Sequence, residues 1–391
     1  MVVELNMEDA VLIDDEKWES LLAATNGAFA PCFQCGVCTA ICPWGLVREE
    51  PISIRALLRD AQLGVVGLHE ALWLCTACGQ CEMLCPRGVP IVEALRGMRY
   101  SLWQENRVSE GLPAALWSLY WNNNPLHQPP SERRGWTGNL EVESYDDEIH
   151  EILLYIGCTA SYERRGQQTA KALVRILEVA EVSFGVLGEL EPCCGESALS
   201  FGHKPFFLDV ASKAAQIFRD HSVKKMVVLS PHCLDVFINE YPQVSEGFEP
   251  IHYTEYLAQL ISEGRLKLEG TRDLSVAFQD PCILARKAGR IGAPREVLAE
   301  ITGLKMIELS ESQEDTICCG GGGGRMWMET PAGERFADLR IMDARMLEVD
   351  ILATACPYCT TCLEDSLNSL EGTDLRVQDL AEIVLDALSS P

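Results

Sequence analysis

The chain has 391 residues, of which 58 are acidic and 32 are basic, so its net charge is −26, and 47% of its residues are hydrophobic. This length predicts two or three domains, and the hydrophobic share is large enough to fill their cores, which excludes a disordered acidic chain. The acidity argues against binding to nucleic acid or to an anionic membrane surface, because both require a basic surface on the protein.

The 18 cysteines are the most unusual feature of the composition. The N-terminal sequence lacks the basic and apolar regions of a signal peptide, and no run reaches the 18 or more apolar residues of a membrane-spanning helix. We therefore expect a cytoplasmic protein that reaches a membrane only through a partner. In a reducing compartment, clustered cysteines indicate metal ligation rather than disulfides.

Residues 1–30 form a short acidic lead-in, and their apolar pattern predicts a helix near residues 18–24. A second helix is predicted over residues 52–63. Residues 122–148 are rich in Asn, Pro, Gly and charge, which is typical of a linker. Beyond them, short apolar runs alternate with amphipathic stretches, as in α/β units. The predicted strands cover residues 152–156, 227–229, 276–278 and 351–353, and the predicted helices cover residues 167–179, 205–220, 295–301 and 332–347.

The motif C-x2-C-x2-C-x3-C-P occurs twice, at residues 32–43 and 75–86. Each copy predicts a cubane [4Fe–4S] cluster, and in two-cluster ferredoxins the fourth cysteine of each copy ligates the other cluster. Zinc sites use two CxxC pairs separated by a spacer, so four cysteines within eleven residues argue against zinc. Gly36 and Gly79 are expected to let the backbone approach the clusters and donate N–H bonds to them. The predicted ligands are Cys32, Cys35, Cys38 and Cys85 for the first cluster, and Cys75, Cys78, Cys81 and Cys42 for the second.

The second half of the chain is an internal duplication. The tripeptide CCG at residues 193–195 recurs at 318–320, and the cysteines on either side of it recur at nearly the same offset. These flanking pairs are Cys158 with Cys282 and Cys233 with Cys359. We therefore predict an α+β multidomain protein. Its predicted parts are a mainly helical ferredoxin-like domain over residues 1–125, a linker over 126–148, and two tandem α/β CCG domains over 149–268 and 269–391.

Each repeat carries a second type of cysteine site. Because the carboxyl ends of parallel strands share one edge of a sheet, the cysteines that follow the predicted strands should converge there. The second repeat has five such thiols: Cys282, Cys318, Cys319, Cys356 and Cys359. Five ligands exceed the four of a cubane or a zinc site and indicate an unusual cluster.

In the first repeat Ser230 replaces the counterpart of Cys356. The remaining candidate ligands there are Cys158, Cys193, Cys194 and Cys233. A cubane, a zinc ion or no metal remain open for this site. His232, beside Cys233, is either a further ligand or an outer-shell or capping group, and the latter is favoured because it is the commoner role of such a histidine.

A glycine run and one additional cysteine accompany the second site. The glycine run over residues 319–325 lacks the GK[ST] ending of a phosphate-binding loop and the acidic ribose-binding residue of a dinucleotide fold. A loop whose backbone presses against a cluster is the simpler account. Cys362 has no counterpart in the first repeat and is expected to be a spare thiol.

The segments FQCGVCTAICP, LWLCTACGQCEMLCPRGV, EPCCGE, SPHC, QDPC, CCGGGGGRMWMET and ACPYC resemble those of the HdrD subunit of heterodisulfide reductase and its relatives. That family includes the glycolate oxidase iron–sulfur subunit and the electron-transfer subunits of benzoyl-CoA reductase complexes. The resemblance implies a two-cluster ferredoxin domain fused to duplicated CCG domains, with a noncubane [4Fe–4S] cluster on the five cysteines of the second repeat. Ser230 departs from the five-cysteine pattern, so the first repeat is not expected to hold the same cluster.

The expected function is that of an iron–sulfur electron-transfer subunit in a cytoplasmic redox complex. Two cubane clusters would connect a flavoprotein partner to the noncubane site, where the five cysteines are the candidate catalytic residues. The sequence carries no flavin or nicotinamide motif, so a FAD-containing partner, similar to the HdrA subunit of heterodisulfide reductase or to an electron-transfer flavoprotein, must supply two-electron chemistry. The alternatives are a catalytic heterodisulfide or quinone reductase and the iron–sulfur subunit of a 2-hydroxy-acid oxidase such as glycolate oxidase.

Overall fold

The computed structural model describes residues 14–65, 69–245, 247–270, 273–370 and 374–388. Its N-terminal part is helical, and two α/β repeats follow. The N-terminal helices are α1 (Asp15–Ala24), α2 (Val37–Ala40), α3 (Trp44–Val47), α4 (Ile54–Gln62), α5 (His69–Leu74), α6 (Gln80–Met83), α7 (Ile91–Gln104) and α8 (Leu112–Asn122). Helix α1 contains the helix predicted near residues 18–24, while residues 1–13 of the predicted lead-in lie outside the described residues.

The helices of the N-terminal part begin where the sequence provides a cap. Helix α4 starts after Ser53, whose hydroxyl accepts a hydrogen bond from the backbone N–H of Ala56 at 3.3 Å. It buries Leu57, Leu58 and Ala61 in the core of this part, and it ends within one residue of the predicted limit. The same core contains Cys282 and Cys318 of the second repeat, so the ferredoxin-like part and the second repeat share one hydrophobic core.

The segment predicted as a linker folds against the first repeat. It contains two short 3-10 helices, and Trp136 within it is 1% exposed. Further along, the backbone N–H of Tyr145 donates to the carbonyl of Val186 at 2.9 Å. The segment is therefore ordered along the edge of the first sheet. The predicted domain limits stay predictions.

The first repeat is a four-stranded parallel sheet with helices on both sides. Its elements are β1 (Ile152–Tyr155), α9 (Cys158–Tyr162), α10 (Arg164–Val179), β2 (Phe184–Gly185), α11 (Glu196–Ser200), α12 (Lys204–Asp220), β3 (Lys225–Val228), α13 (Pro231–Asn239), β4 (Glu249–His252) and α14 (Tyr253–Ser262). The strand order is β2-β1-β3-β4. The chain runs outward from β1 to one edge and from β3 to the other, so the gap between β1 and β3 is a topological switch point, where α/β sheets bind ligands.

The second repeat has the same topology. Its elements are β5 (Leu274–Phe278), a π-helical turn (Ile283–Lys287), α15 (Gly292–Ala299), β6 (Leu304–Ile307), α16 (Phe336–Met346), β7 (Ile351–Thr354), α17 (Pro357–Asn368), β8 (Arg376–Asp379) and α18 (Leu380–Ala387). The strand order β6-β5-β7-β8 repeats that of the first sheet, again with all strands parallel. The fold class predicted from the duplication is confirmed.

The two repeats pack against each other through equivalent helices. Helix α10 packs on α18, and α15, which occupies the place of α10 in the second repeat, packs on α14, the counterpart of α18. This reciprocal pattern is that of a two-fold interface. Both repeats contribute to one continuous hydrophobic core, which fixes the two cysteine-bearing sheet edges relative to each other.

The principal predicted strands and helices of the repeats are present, with one clear error at a helix start. The helix predicted over residues 332–347 begins only at Phe336, because Gly333 adopts φ +84° in a turn that the helix cannot include. The prediction omitted the outer strands β2, β4, β6 and β8, which have two to four residues each.

Candidate iron–sulfur sites

The eight cysteines of the ferredoxin-like part line two separate small cavities. One is lined by Cys32, Cys35, Cys38 and Cys85, and the other by Cys75, Cys78, Cys81 and Cys42. The structure therefore brings together the members of each predicted ligand set, with Cys42 and Cys85 each crossing to the other motif. Their role as ligands stays a prediction. We call the two sets the outer group and the inner group, respectively.

The outer and inner groups differ in burial. Cys35 of the outer group is exposed, and the adjacent Phe33 is 57% exposed. In the inner group Cys78 and Cys81 are buried, and the cavity is also lined by Phe336 of the second repeat. The outer group thus lies at the surface, while the inner group lies between the ferredoxin-like part and the second repeat.

The backbone around each group is shaped to approach sulfur. Gly36 and Gly79 have φ of +89° and +78° at the starts of α2 and α6, a conformation that favours glycine. The N–H groups that reach cysteine sulfur are those of neighbouring residues: Gln34 to Cys32 at 3.5 Å, Ala77 to Cys75 at 3.4 Å and Val89 to Cys85 at 3.4 Å. Such N–H bonds to sulfur are one of the means by which a protein tunes a cluster's potential.

The thiols of these groups fit an iron–sulfur centre chemically. Burial raises the pKa of the Cys42 thiol to about 12, and burial also raises the pKa of Cys78 and Cys81. These thiols are neutral without metal, and binding of iron displaces their protons. None of the 18 cysteines forms a disulfide, so all of them remain available as ligands.

In the second repeat the five predicted ligands form one continuous set of thiols at the sheet edge. Cys282 precedes the π-helical turn after β5, Cys318 and Cys319 lie between β6 and α16, and Cys356 and Cys359 begin α17 after β7. All five are buried, with exposures of 1–6%. The sulfur atoms of Cys282 and Cys318 are 3.7 Å apart. Thiol contacts continue from Cys318 to Cys319, Cys359 and Cys356.

The first repeat arranges its four cysteines in the same way. The sulfur atoms of Cys194 and Cys233 are 3.2 Å apart, and thiol contacts link Cys194 to Cys193 and Cys193 to Cys158. Ser230 occupies the N-cap position of α13, as Cys356 does in α17, and it lines the same cavity as the four thiols. This site therefore has a hydroxyl in place of the fifth thiol.

The turn after each CCG pair is also repeated. The N–H of Gly195 donates to Cys193 sulfur at 3.4 Å, and the N–H of Gly320 donates to Cys318 sulfur at 3.3 Å. The two glycines have φ of +85° and +96°. The third residue of the CCG tripeptide is thus a glycine because it turns the chain back onto the first cysteine.

His232 lies between the two CCG sites. Its Nδ1 is 3.4 Å from Glu196 Oε1, its ring centroid is 4.6 Å from that of Tyr358, and its ring interacts with Cys356 of the other repeat. Burial lowers the pKa of His232, but the neighbouring Cys356 and Glu196 raise it well above its usual value. The imidazole therefore bridges the two sites and is oriented by Glu196, an arrangement typical of an outer-shell group.

The glycine run presses on the ferredoxin-like part. A Cβ atom on Gly322 would lie 2.4 Å from the carbonyl oxygen of Thr76, and one on Gly323 would lie 2.1 Å from that of Cys75. The loop makes a close approach, and its partner here is the backbone that carries the inner group, while its predicted contact with a cluster stays a prediction. The loop therefore sets how closely the inner group and the second CCG site approach each other.

Two arginines that sequence reasoning missed, one buried and one half-buried, hold these parts together. Arg99, 2% exposed, donates to the carbonyls of Cys75 at 2.8 Å, Ser200 at 2.6 Å and Gly323 at 2.8 Å, which belong to three different parts of the chain. Arg286 donates to the carbonyl of Cys78 at 3.1 Å from the turn that follows Cys282. The sequence pattern that could have identified Arg99 is its place on the buried face of α7, where a cation stands among mainly apolar neighbours.

A third arginine, which is buried, serves the first CCG site. Arg133 forms an ion pair with Glu191 at 2.8 Å, both 2% exposed, and lies 3.6 Å from Cys158 sulfur. Glu191 in turn accepts from the backbone N–H groups of Ile156 and Gly157 at 3.0 and 2.9 Å. Arg133 comes from the segment predicted as a linker, so that segment completes the surroundings of the first site.

We expect Gly323→Ala to destabilise the contact between the inner group and the second repeat. The new methyl group would meet the Cys75 carbonyl at 2.1 Å, and φ is +61°. Overpacking and the left-handed backbone together should cost about 2–4 kcal/mol. Gly333→Ala is the matched control, because Gly333 has φ +84° but open space around it, and only the backbone cost of about 1 kcal/mol applies. Thermal unfolding of the two variants measures the difference, and equal losses would contradict the close packing.

Comparisons with known proteins are consistent with these sites. The 4Fe–4S dicluster domain family matches residues 28–89, and the cysteine-rich domain family named CCG matches residues 152–237 and 276–364. The protein is thus an iron–sulfur protein. Among the described residues no helix combines the length and apolar character needed to cross a membrane.

Two curated relatives and one solved structure extend the similarity. The EtfAB:quinone oxidoreductase of Syntrophomonas wolfei is 34% identical over 83% of this chain and 47% of its own length. The HdrD subunit of the dihydromethanophenazine:CoB–CoM heterodisulfide reductase of Methanosarcina barkeri is 31% identical over 80% of this chain and 77% of its own. A hypothetical protein from Helicobacter pylori shares the fold, with a TM-score of 0.50 and 10% identity over 97% of this chain and 74% of that one. The chain spans about half the length of curated relatives such as the first.

Proposed function

This chain belongs to the family of the HdrD subunit of heterodisulfide reductase and its relatives, and on that basis we propose that it is the iron–sulfur electron-transfer subunit of a redox complex. In this proposal electrons pass between a flavoprotein partner and the second CCG site through the two ferredoxin-type clusters. The complex is cytoplasmic and meets a membrane only through a partner.

The observation that carries the proposal is the order of the cysteine groups. The outer group is at the surface, the inner group borders the second repeat at Phe336, and Cys78 of the inner group interacts electrostatically with Cys282 and Cys318 of the second CCG site. His232 then connects Cys356 to the first CCG site. Clusters bound at these groups would supply one-electron transfer, and the protein arranges the groups one after another in space.

The chain's own residues maintain this order. Arg99 and Arg286 bind the backbone of the inner group from both sides, and the glycine loop lies directly against Cys75 and Thr76. A cubane cluster is proposed for the outer and inner groups, and a noncubane cluster for the second CCG site, where five buried thiols meet. The first CCG site, with four thiols and Ser230, is proposed to hold a different centre.

The test supplies chemically reduced protein, under anaerobic conditions, with an electron-transfer flavoprotein, a quinone analogue and a disulfide in parallel. We expect rapid transfer with the flavoprotein and slow transfer with the other two. Rapid turnover of the disulfide or the quinone by the chain alone would instead favour a terminal reductase. Iron analysis accompanies the assay, because fewer than about eight irons per chain, the content of two cubanes, would contradict the ferredoxin-type sites themselves.

We expect the partner to dock at the outer group. In this acidic chain, exposed Arg55 and Arg87 line the cavity of that group beside Phe33 and Cys35. Arg87→Glu should slow reduction by the flavoprotein several-fold at low salt and have less effect at high salt, because exposed charges are screened. Lys224 is an exposed cation remote from the cysteine groups, so Lys224→Glu should leave the rate of reduction unchanged at low and at high salt. Equal effects of the two variants would place docking elsewhere.

A further inference from the structure

A cavity of about 480 Å³ opens beside the second CCG site. Cys319 and Cys362 of the second repeat line it, together with Trp44 of the ferredoxin-like part. Met328 and Phe336 add apolar surface, and Arg325 adds a cation. The cavity is large enough for a small organic molecule, and the electron-transfer proposal does not use it.

Two of the three carboxylates that line this cavity are held in ion pairs. Arg335 pairs with Asp365 at 2.8 Å, and Glu334 pairs with Arg48 at 3.4 Å. Glu329 is exposed and meets Arg325 only through its backbone carbonyl. The rim therefore offers no net charge to a ligand from its ion pairs.

Arg325 is different because it is buried and forms no ion pair, and its one carboxylate neighbour, Glu334, is paired with Arg48. It is 8% exposed, and no carboxylate among the described residues lies within ion-pair distance of it. Its Nη2 donates to the Glu329 carbonyl and the Thr330 hydroxyl, both at 2.7 Å, while its Nε has no hydrogen-bond partner. A buried cation in this state is costly unless an anion accompanies it.

For Arg99 the negative charge can come from a cluster on the adjacent cysteines, but Arg325 has no cysteine among its charged neighbours. Arg99 lies beside the Cys75 thiol, so a cluster on the inner group would offset its charge. Arg325 interacts instead with Arg48 and Glu334. Its guanidinium also lies 5.8 Å from the ring of Trp44, which places the cation and the aromatic surface at the same cavity.

We propose that this cavity binds a small organic anion, such as a carboxylate, that has an aromatic or apolar body. The charged group is held at Arg325, and the body packs against Trp44, Met328 and Phe336. Because Cys319 and Cys362 also line the cavity, the bound molecule lies next to the second CCG site. This inference goes beyond electron transfer and does not depend on which partner supplies electrons.

The test uses two probes of the same shape, 2-naphthoate and the neutral 2-naphthamide, titrated calorimetrically into the anaerobic holoprotein. We expect one site that binds the naphthoate at least tenfold more tightly than the amide. Arg325→Gln should remove that difference, whereas Arg335→Gln, which alters a rim cation already paired with Asp365, should retain it. Equal affinities of the two probes for the natural protein, or no binding, would overturn the proposal even if Arg325→Gln does not fold.

A second measurement locates the bound probe. Cys362 is the one cysteine not assigned to a cluster, and it lines the cavity, so its alkylation by iodoacetamide can be followed by mass spectrometry. The naphthoate should slow this alkylation at least fivefold, and the amide at the same concentration should not. Binding of the naphthoate without protection of Cys362 would place the site elsewhere and refute the assignment. Electron transfer to the flavoprotein is scored separately, so failure of one proposal is distinguishable from failure of the other.

Discussion

Cys42→Ala is expected to remove the centre held by the inner group while the outer group keeps its own. Cys42 lies in the first motif but lines the cavity of Cys75, Cys78 and Cys81. Loss of one ligand should lower the iron content by about four atoms, one cubane. Cys85→Ala should have the same effect on the outer group, for the same reason.

Double variants decide which centre has been lost. If Cys42 serves the inner group, Cys42→Ala combined with Cys75→Ala should lose no more iron than either variant alone. Combined with Cys32→Ala it should lose about eight atoms, two cubanes. The reverse pattern would show that each motif holds its own cluster. Cys362→Ala, which removes a thiol outside both groups, should leave the iron content unchanged.

The grouping of these cysteines could be predicted because it depends on local spacing. The three cysteines of each CxxCxxC loop are close in sequence, and in two-cluster ferredoxins the fourth cysteine, which precedes the proline, serves the other cluster. The cysteine-bearing sheet edges of the repeats were predictable for a similar reason. The strands β1, β3, β5 and β7 are short, largely buried apolar runs, and a cysteine follows each of them within a few residues.

What the sequence did not reveal depends on contacts between distant segments. Arg99 joins residues more than 200 positions apart, and His232 reaches a cysteine of the other repeat rather than its own. The role of Arg133 was hidden because it lies in a segment whose composition is typical of a linker. The order of the cysteine groups follows from these contacts, so the sequence could supply the sites but not their arrangement.

Exchanging Ser230 and Cys356 tests whether the fifth thiol sets the type of cluster. The two residues occupy equivalent positions, at the N-caps of α13 and α17, and both are buried, with exposures of 9% and 1%. Serine and cysteine have nearly the same shape, so either exchange should leave the fold intact. A serine hydroxyl is not deprotonated near neutral pH and is therefore a poor ligand, whereas a thiol that binds metal loses its proton.

Cys356→Ser is expected to abolish the spectroscopic signature of the noncubane cluster. It should also slow electron transfer through the second CCG site. The expected loss exceeds the factor of about 10–100 that removal of an outer-shell partner causes, because a direct ligand is removed. The reciprocal variant Ser230→Cys should give the first site the five-thiol set and the same signature there, read by electron paramagnetic resonance. If the natural protein already shows two noncubane signals, or if Ser230→Cys adds none, the fifth thiol does not distinguish the sites. In that case the difference must come from their surroundings, where the buried pair of Arg133 and Glu191 lies beside Cys158 of the first site only.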